Sequence, residues 1–392
     1  MGGFESSCHR NGKGQRLDMV AATHHDRRAH EDYLSLRGLG LATARDAIRW
    51  PLIEREGRFD FRSFLSMLDA SQRAGVQIIW DIFHFGWPDD VDIFSSAFVT
   101  RFARLCREVA KLIRRAGEST PCFAVMNEIS FFAWAAAEIG WFYPYVRDRG
   151  GELKRNLIRA TIAGINEIWS VDRSARIVHT DPILNVVSPM NASREEAQEA
   201  AIYHCLQYEA WDALAGKAFP ELGGNPVYLD IVGVNFYHAN QFEYQGNRIK
   251  WEDEPRDPRW LPLSIMLKRI AERYGRPIVI TETGHFGAGR GRWIVDVAAN
   301  LKRARDWGVA LEGVCLYPII DRPDWDDLDH WHNSGLLDIT RESSGELTRS
   351  INQDYARAIE EARSTITGKQ NGTMSLQLEQ CDGTPAKRAD DP

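Results

Sequence analysis

A closed (β/α)8 barrel in a single domain is the fold predicted by this sequence, and three observations predict it. Short apolar runs alternate with amphipathic segments along most of the chain. Eight of these runs are bounded by turn residues and followed by a helix-like stretch. The longest connections all follow the apolar runs, so in a barrel they share one face. A doubly wound open sheet is the alternative. Residues capable of chemistry end many of the runs, which suits a closed ring of βα loops better.

In chain order, strands are expected at 3–7, 43–48, 77–83, 123–127, 176–180, 230–236, 278–281 and 313–317. A helix is expected over 26–38. Next, Phe61, Phe64, Leu65 and Leu68 share one helical face, as do Phe98, Phe102, Leu105, Val109 and Leu112. Further helices are expected at 152–170, 194–215, 263–274, 293–307 and 351–364. The long connections are 8–25, 84–95, 129–150, 237–262 and 318–350. Their content of Trp, Tyr, Phe, His and Asp points to function. Residues 1–365 form the expected barrel domain, and the polar, charge-mixed stretch 366–392 is expected to be a disordered tail.

Composition narrows the function. The 392 residues are 44% hydrophobic and 26% charged, ordinary for a globular protein, with a formal net charge of −7. That balance argues against nucleic-acid and anionic-membrane partners. Six cysteines show neither a C-x-x-C pair nor metal-ligand spacing, so buried free thiols in a reducing compartment are expected. No secretory leader pattern opens the sequence and no long apolar run crosses it, so a cytoplasmic location is expected. No cofactor motif and no metal set is recognisable, and no feature fixes an oligomeric state. Thirteen tryptophans, many of them after strands, suit stacking on a ligand such as a sugar.

The chemistry rests on two glutamates. Glu128 closes the run from Pro121, and Glu282 closes the run from Pro277. A carboxylate at the end of a buried strand is unfavourable unless the strand opens onto a site. Two of them at strand tips read as a catalytic carboxylate pair. Their separation of 154 positions places them on strands four and seven. Retaining glycoside chemistry requires carboxyl groups about 5–5.5 Å apart, one to attack and one to protonate. A cation such as Arg45 beside Glu282 would keep it ionised.

Six motifs in order resemble glycoside hydrolase family 1 within clan A over roughly residues 1–365. They are Thr43-Ala44-Arg45 with Arg49-Trp50-Pro51, Phe83-His84-Phe85-Gly86-Trp87, Asn127-Glu128, Asn235-Phe236-Tyr237, Thr281-Glu282-Thr283-Gly284, and the stretch from Gly313 to Trp325. The resemblance implies a β-glucosidase-like retaining enzyme with a carbohydrate substrate. It implies Glu128 as acid/base and Glu282 as nucleophile. Asn127 would hold the sugar 2-hydroxyl, and Arg45 and Tyr237 would position the nucleophile. His84 would meet a sugar hydroxyl, and Asn235, Tyr317, Asp324 and Trp325 would belong to the sugar-binding frame. Four departures from the pattern stand out. His9 or Arg10 occupies the place of a strand-one Gln, Tyr317 that of a platform Trp, Asp324 that of a Glu, and Ile129 that of a Pro. The catalytic pair is kept while the recognition frame is altered, so a substrate other than a simple glucoside is expected.

Weaker motifs add little. The stretch 324–332 lacks EF-hand alternation. His24-His25-Asp26 reads as a loop or cap, and Gly287–Arg292 reads as a flexible lid, with Arg290 or Arg292 placed to meet an anionic group. The rival reading from another class is a carbohydrate-binding barrel that has lost turnover.

Overall fold

The computed structural model describes residues 1–368. Eight parallel strands close a barrel: β1 (Gly2–Gly3), β2 (Thr43–Ala47), β3 (Gln77–Asp81), β4 (Cys122–Ala124), β5 (Arg176–Pro182), β6 (Ile231–Asn235), β7 (Ile278–Thr283) and β8 (Leu311–Leu316). Each strand pairs with its neighbours in chain order, and β1 closes the ring through Gly2 opposite both Ala44 and Leu316. Around it run α1 (His25–Gly38), α2 (Arg62–Ala74), α3 (Ser96–Arg115), α4 (Gly150–Val171), α5 (Arg194–Cys205), α6 (Glu209–Leu214), α7 (Leu263–Tyr274), α8 (Gly289–Asp306) and α9 (Gln353–Thr367). No helix among the described residues is long and apolar enough to cross a membrane.

The barrel axis is filled. Ile79, Ala124, Val178, Ile231 and Val279 come from five different strands and form one cluster, with Met1 and Cys122 against it. A Cβ on Gly233 would lie 2.9 Å from Val178 and 3.0 Å from Thr281, so only glycine leaves room there. Two residues further along each strand, the same inward face carries Asp81, Thr180 and Thr281. The interior thus turns from an apolar plug to a polar floor toward the C-terminal ends of the strands.

Outside the ring, α3 shows why these segments become helices. The Ser95 hydroxyl accepts from the Phe98 amide, capping the first turn. Phe98, Phe102, Leu105, Val109 and Ile113 then fall on one face and are fully buried. Burial of each such side chain contributes about 1.5–3 kcal/mol, well above any propensity difference. That helix packs on α4, where a Cβ on Gly164 would lie 2.8 Å from Cys106 and 3.3 Å from Phe102.

Three expectations need correction. Strand one is only Gly2–Gly3, because beyond Phe4 the backbone turns to side chains. The Ser6 amide donates to the Tyr317 hydroxyl, and the Ser7 amide to Glu5. The segment 194–215 is not one helix. A 3-10 turn, Leu206–Tyr208, breaks it between α5 and α6. The glycine-rich stretch after β7 is no lid, since it begins α8 and Arg290 is buried on Gly335 and Asp338. The tail expected from 366 falls mostly outside the described residues, and α9 itself runs to Thr367.

Candidate active site

One guanidinium organises the C-terminal end of the barrel. Arg45, on β2, is fully buried. Its Nη1 donates to Glu282 Oε1 at 2.6 Å and to the Thr281 carbonyl at 3.3 Å. Its Nη2 reaches Asn127 Oδ1 at 2.7 Å and Asp81 Oδ2 at 2.8 Å, while Nε donates to Asp81 Oδ1 at 3.2 Å. Burial works against this charge, but Asp81 and Glu282 outweigh it and hold the guanidinium firmly protonated.

Glu282 is held from two sides. Arg45 takes Oε1, and the Tyr237 hydroxyl donates to Oε2 at 2.7 Å. Burial, then the charge of Glu282, keeps Tyr237 a neutral donor. The strand is irregular at this point. The β6–β7 register shifts between Ile280 and Glu282, where Glu282 comes opposite Asn235. Such an irregularity re-aims a side chain at a strand tip.

Glu128 stands in a different environment. Its backbone is left-handed, with φ of 47°, and leads into the short helix Ile129–Ala133. A non-glycine residue in that region costs roughly 1–3 kcal/mol and is kept where the surroundings over-determine it. Here the Glu128 amide donates to the Thr180 carbonyl at 2.9 Å, and Asn235 Nδ2 donates to Glu128 Oε1 at 2.9 Å. Thr281 in turn donates to Asn235 Oδ1 at 2.7 Å, so one amide connects the tips of β6 and β7 to Glu128. Burial, followed by the nearby charge of Glu282, raises the Glu128 carboxyl well above the usual carboxylate range, and Asn235 only partly offsets this. Asp181 adds repulsion. It accepts from the Ser130 amide and hydroxyl, and burial pushes it up to about 7.

The network fixes its own donors. Asp81 Oδ2 accepts from His84 Nδ1 at 3.0 Å, which leaves His84 Nε2 to accept from Asn127 Nδ2 at 3.2 Å. Asn127 Oδ1 is then free to accept from both Arg45 and Thr180. His84 thus uses both ring nitrogens inside the protein, while Asn127 retains a second N–H. Tyr317 is a buried floor whose ring lies parallel to His84 at 6.3 Å and 5.5 Å from the Arg45 guanidinium carbon. A Cβ on Gly3 would collide with that ring at 2.3 Å.

A cavity of about 170 Å³ is lined by His9, Trp141, Phe142, Arg322, Asp324 and Trp325 among others, and by none of the network residues above. His9 Nε2 donates to the Trp325 carbonyl at 3.0 Å. That bond leaves His9 Nδ1 an acceptor, and it is buried without a partner, as is the donor Trp325 Nε1. Arg322 pairs with the buried Glu5 at 3.2 Å. Asp324 is spoken for, by the Asp326 amide at 2.8 Å and His332 Nε2 at 3.0 Å.

No protein-family model matches this sequence, and no curated protein matches it. Solved structures do. An AHE enzyme from Alicyclobacillus herbarius aligns with a TM-score of 0.73 at 19% identity, covering 87% of each chain. The family 1 β-glucosidase of Thermotoga maritima aligns at 0.72 and 18%, covering 86% of this chain and 87% of that one. The chain shares the (β/α)8 fold of these structures. The Thermotoga enzyme in complex with glucoimidazole aligns at 0.70 and 17%.

Of the expected site residues, Arg45, His84, Asn127, Glu128, Asn235, Tyr237, Tyr317 and Glu282 meet in one network. Asp324 and Trp325 line the cavity instead. Asn235 sits on Glu128. Asp81, Thr180 and Asp181 are not singled out by the sequence, and Thr281, part of the Glu282 motif, has no role assigned by it. Asp81 and Thr180 lie inside expected strands, where a polar residue on the inward face was the only sign.

Proposed function

We propose that the protein is a retaining β-glycosidase acting on a β-linked sugar or glycoconjugate by double displacement. The observation that carries this reading is the opposed treatment of two buried carboxyl groups at strand tips of one barrel. Glu282 faces a guanidinium and a phenol, which favour a charged nucleophile. Glu128 faces an amide and two other carboxyls, which favour a protonated acid. In the proposed reaction Glu282 attacks the anomeric carbon while Glu128 gives its proton to the leaving oxygen. Glu128 then takes a proton from water, which displaces Glu282 from the sugar. A sugar hydroxyl in place of that water turns the same step into transglycosylation.

The unpartnered acceptor on His9 and donor on Trp325 support a hydroxylated ligand in the cavity, since an unmet buried polar group costs about 1–3 kcal/mol. The likeness to β-glucosidase structures supports the same class, and a cytoplasmic location goes with the free thiols. The test is a panel of aryl β-glycosides with the anomeric configuration of the first-formed product read by NMR. Retention is expected, with Glu282→Gln losing at least about a thousandfold in kcat. Inversion, or a Glu282→Gln variant that keeps a tenth of the activity, would overturn the reading.

A further inference from the structure

Beside the carboxylate network, three side chains from separate segments converge on a point that the proposed glycosidase chemistry does not use. His238 follows Tyr237 at the end of β6, His285 lies three residues after Glu282 beyond β7, and Glu252 comes from the long connection between them. One potential ligand atom from each lies within 4.8 Å of the other two. The imidazole rings of His238 and His285 are 4.3 Å apart, and His285 Nε2 meets Glu252 Oε1 at 3.2 Å.

One feature of this cluster points to a cation. His238 is about nine-tenths buried, and its Nδ1 has no partner. His285 Nδ1 accepts from the Phe286 amide at 2.8 Å and lies 3.1 Å from the Phe286 carbonyl. A metal on Nε2 would exchange that amide bond for one from Nδ1–H to the carbonyl, the support that ligating histidines commonly have. Trp251 and Trp293 wall the cluster, with ring centroids 5.5 and 6.0 Å from His285. Trp293 is itself fixed by its indole N–H on Thr283 Oγ1 at 2.8 Å.

We propose that His238, Glu252 and His285 form a zinc site that clips the β6–α7 connection to the tip of β7. Two imidazoles and one carboxylate suit zinc, with the fourth position left to water. Bonds of about 2.0–2.2 Å would draw the ligand atoms together by roughly an ångström, a side-chain adjustment. The competitor is Arg248, whose Nη2 lies 3.2 Å from both Glu252 oxygens and would be displaced from one of them. The clip fixes Tyr237, the immediate neighbour of His238, in position to donate to Glu282.

The full chain, stripped with EDTA and exchanged into metal-free buffer, is titrated with Zn²⁺ and, separately, Co²⁺. Bound metal is counted after gel filtration, and the visible absorption of Co²⁺ reports its coordination. One zinc per chain is expected, with a rise in Tm on loading and an intense low-coordinate cobalt spectrum. His285→Gln and Glu252→Gln should each weaken binding by about 10–100-fold or more. Arg248→Met, at a partly exposed position, should tighten it, and this arm stands even where a histidine variant fails to fold. Absence of stoichiometric zinc overturns the proposal. So does equal binding by wild type and His285→Gln, or an Arg248→Met variant with unchanged or weaker affinity. None of these readouts depends on glycosidase activity, so the two proposals fail separately.

Discussion

Replacing the proposed acid/base with its neutral isostere should make the protein more stable at neutral pH while removing most of its activity. Glu128 is buried beside Glu282 and Asp181, so its folded-state carboxyl holds its proton well above the usual range. A raised folded value means that the native state binds this proton more tightly than the unfolded chain does. The associated stability is fully present below the unfolded value of about 4.3 and is lost as pH rises toward the folded value. Each pH unit of that window is worth about 1.4 kcal/mol, and pH 7 lies about 2.7 units above the unfolded value, which caps the effect near 3.7 kcal/mol. Glu128→Gln is neutral in both states and its Oε1 still accepts from Asn235. Relative to wild type it should therefore gain about 1–3 kcal/mol at pH 7 and nothing near pH 4. Denaturant melts of both proteins at pH 4, 5.5 and 7 measure this directly. Its kcat on substrates with poor leaving groups should fall about 10²–10⁴-fold. A stability difference that does not change with pH would refute the reasoning, because it would mean that Glu128 pays no penalty for its charge.

Arg45→Met strands Asp81 and Glu282 in a dry site and should cost about 3–5 kcal/mol in denaturant melts. Arg45→Lys should recover part of this but little activity, because one ammonium cannot reach Asp81, Asn127 and Glu282 together. Asp181→Asn removes a negative neighbour of Glu128, so the basic limb of the kcat/KM profile should move to lower pH. An unmoved limb would show that Asp181 acts only through Ser130. Simple aryl β-glucosides should be poor substrates, with kcat/KM below about 10⁴ M⁻¹s⁻¹. The resemblance implies that His9, Tyr317 and Asp324 alter the recognition frame, and Asp324 is already committed to His332.

What the sequence made legible was periodic or terminal. Alternating runs located all eight strands, and a carboxylate closing an apolar run is visible because it breaks the run, as at Glu128 and Glu282. Asp81 obeys the same physics but is followed by Ile82 and Phe83, so it was absorbed into a strand expected to reach 83 when the ladder stops at Asp81. The left-handed backbone of Glu128 has no sequence mark, since it is imposed by Thr180 and Asn235 from other strands. The sequence reads His24-His25-Asp26 as a loop or cap, and His24 is the N-cap of α1, but the burial of His25 between Asp32 and Asp46, 2.8 Å from each, has no sequence mark. The cluster of His238, Glu252 and His285 carries no ligand spacing because each member comes from a different segment. Contacts assembled by closing the ring are the part that a linear reading cannot reach.

The proposed division of labour between the two glutamates follows from where one buried cation, Arg45, stands. Arg45 projects from β2 into the polar floor, where Asp81 on the adjacent strand fixes its Nε and Nη2. That anchoring leaves Nη1 for Glu282 and turns Nη2 toward Asn127, not toward Glu128. Glu128 therefore has no donor stronger than the Asn235 amide, while the charge on Glu282 makes a second ionisation nearby unfavourable. A site with two glutamates of equal intrinsic acidity is in this way polarised by one arginine and one amide. The strand-to-strand register decides which glutamate meets the guanidinium. Moving the cation, not changing either carboxylate, is then the substitution that would exchange their roles.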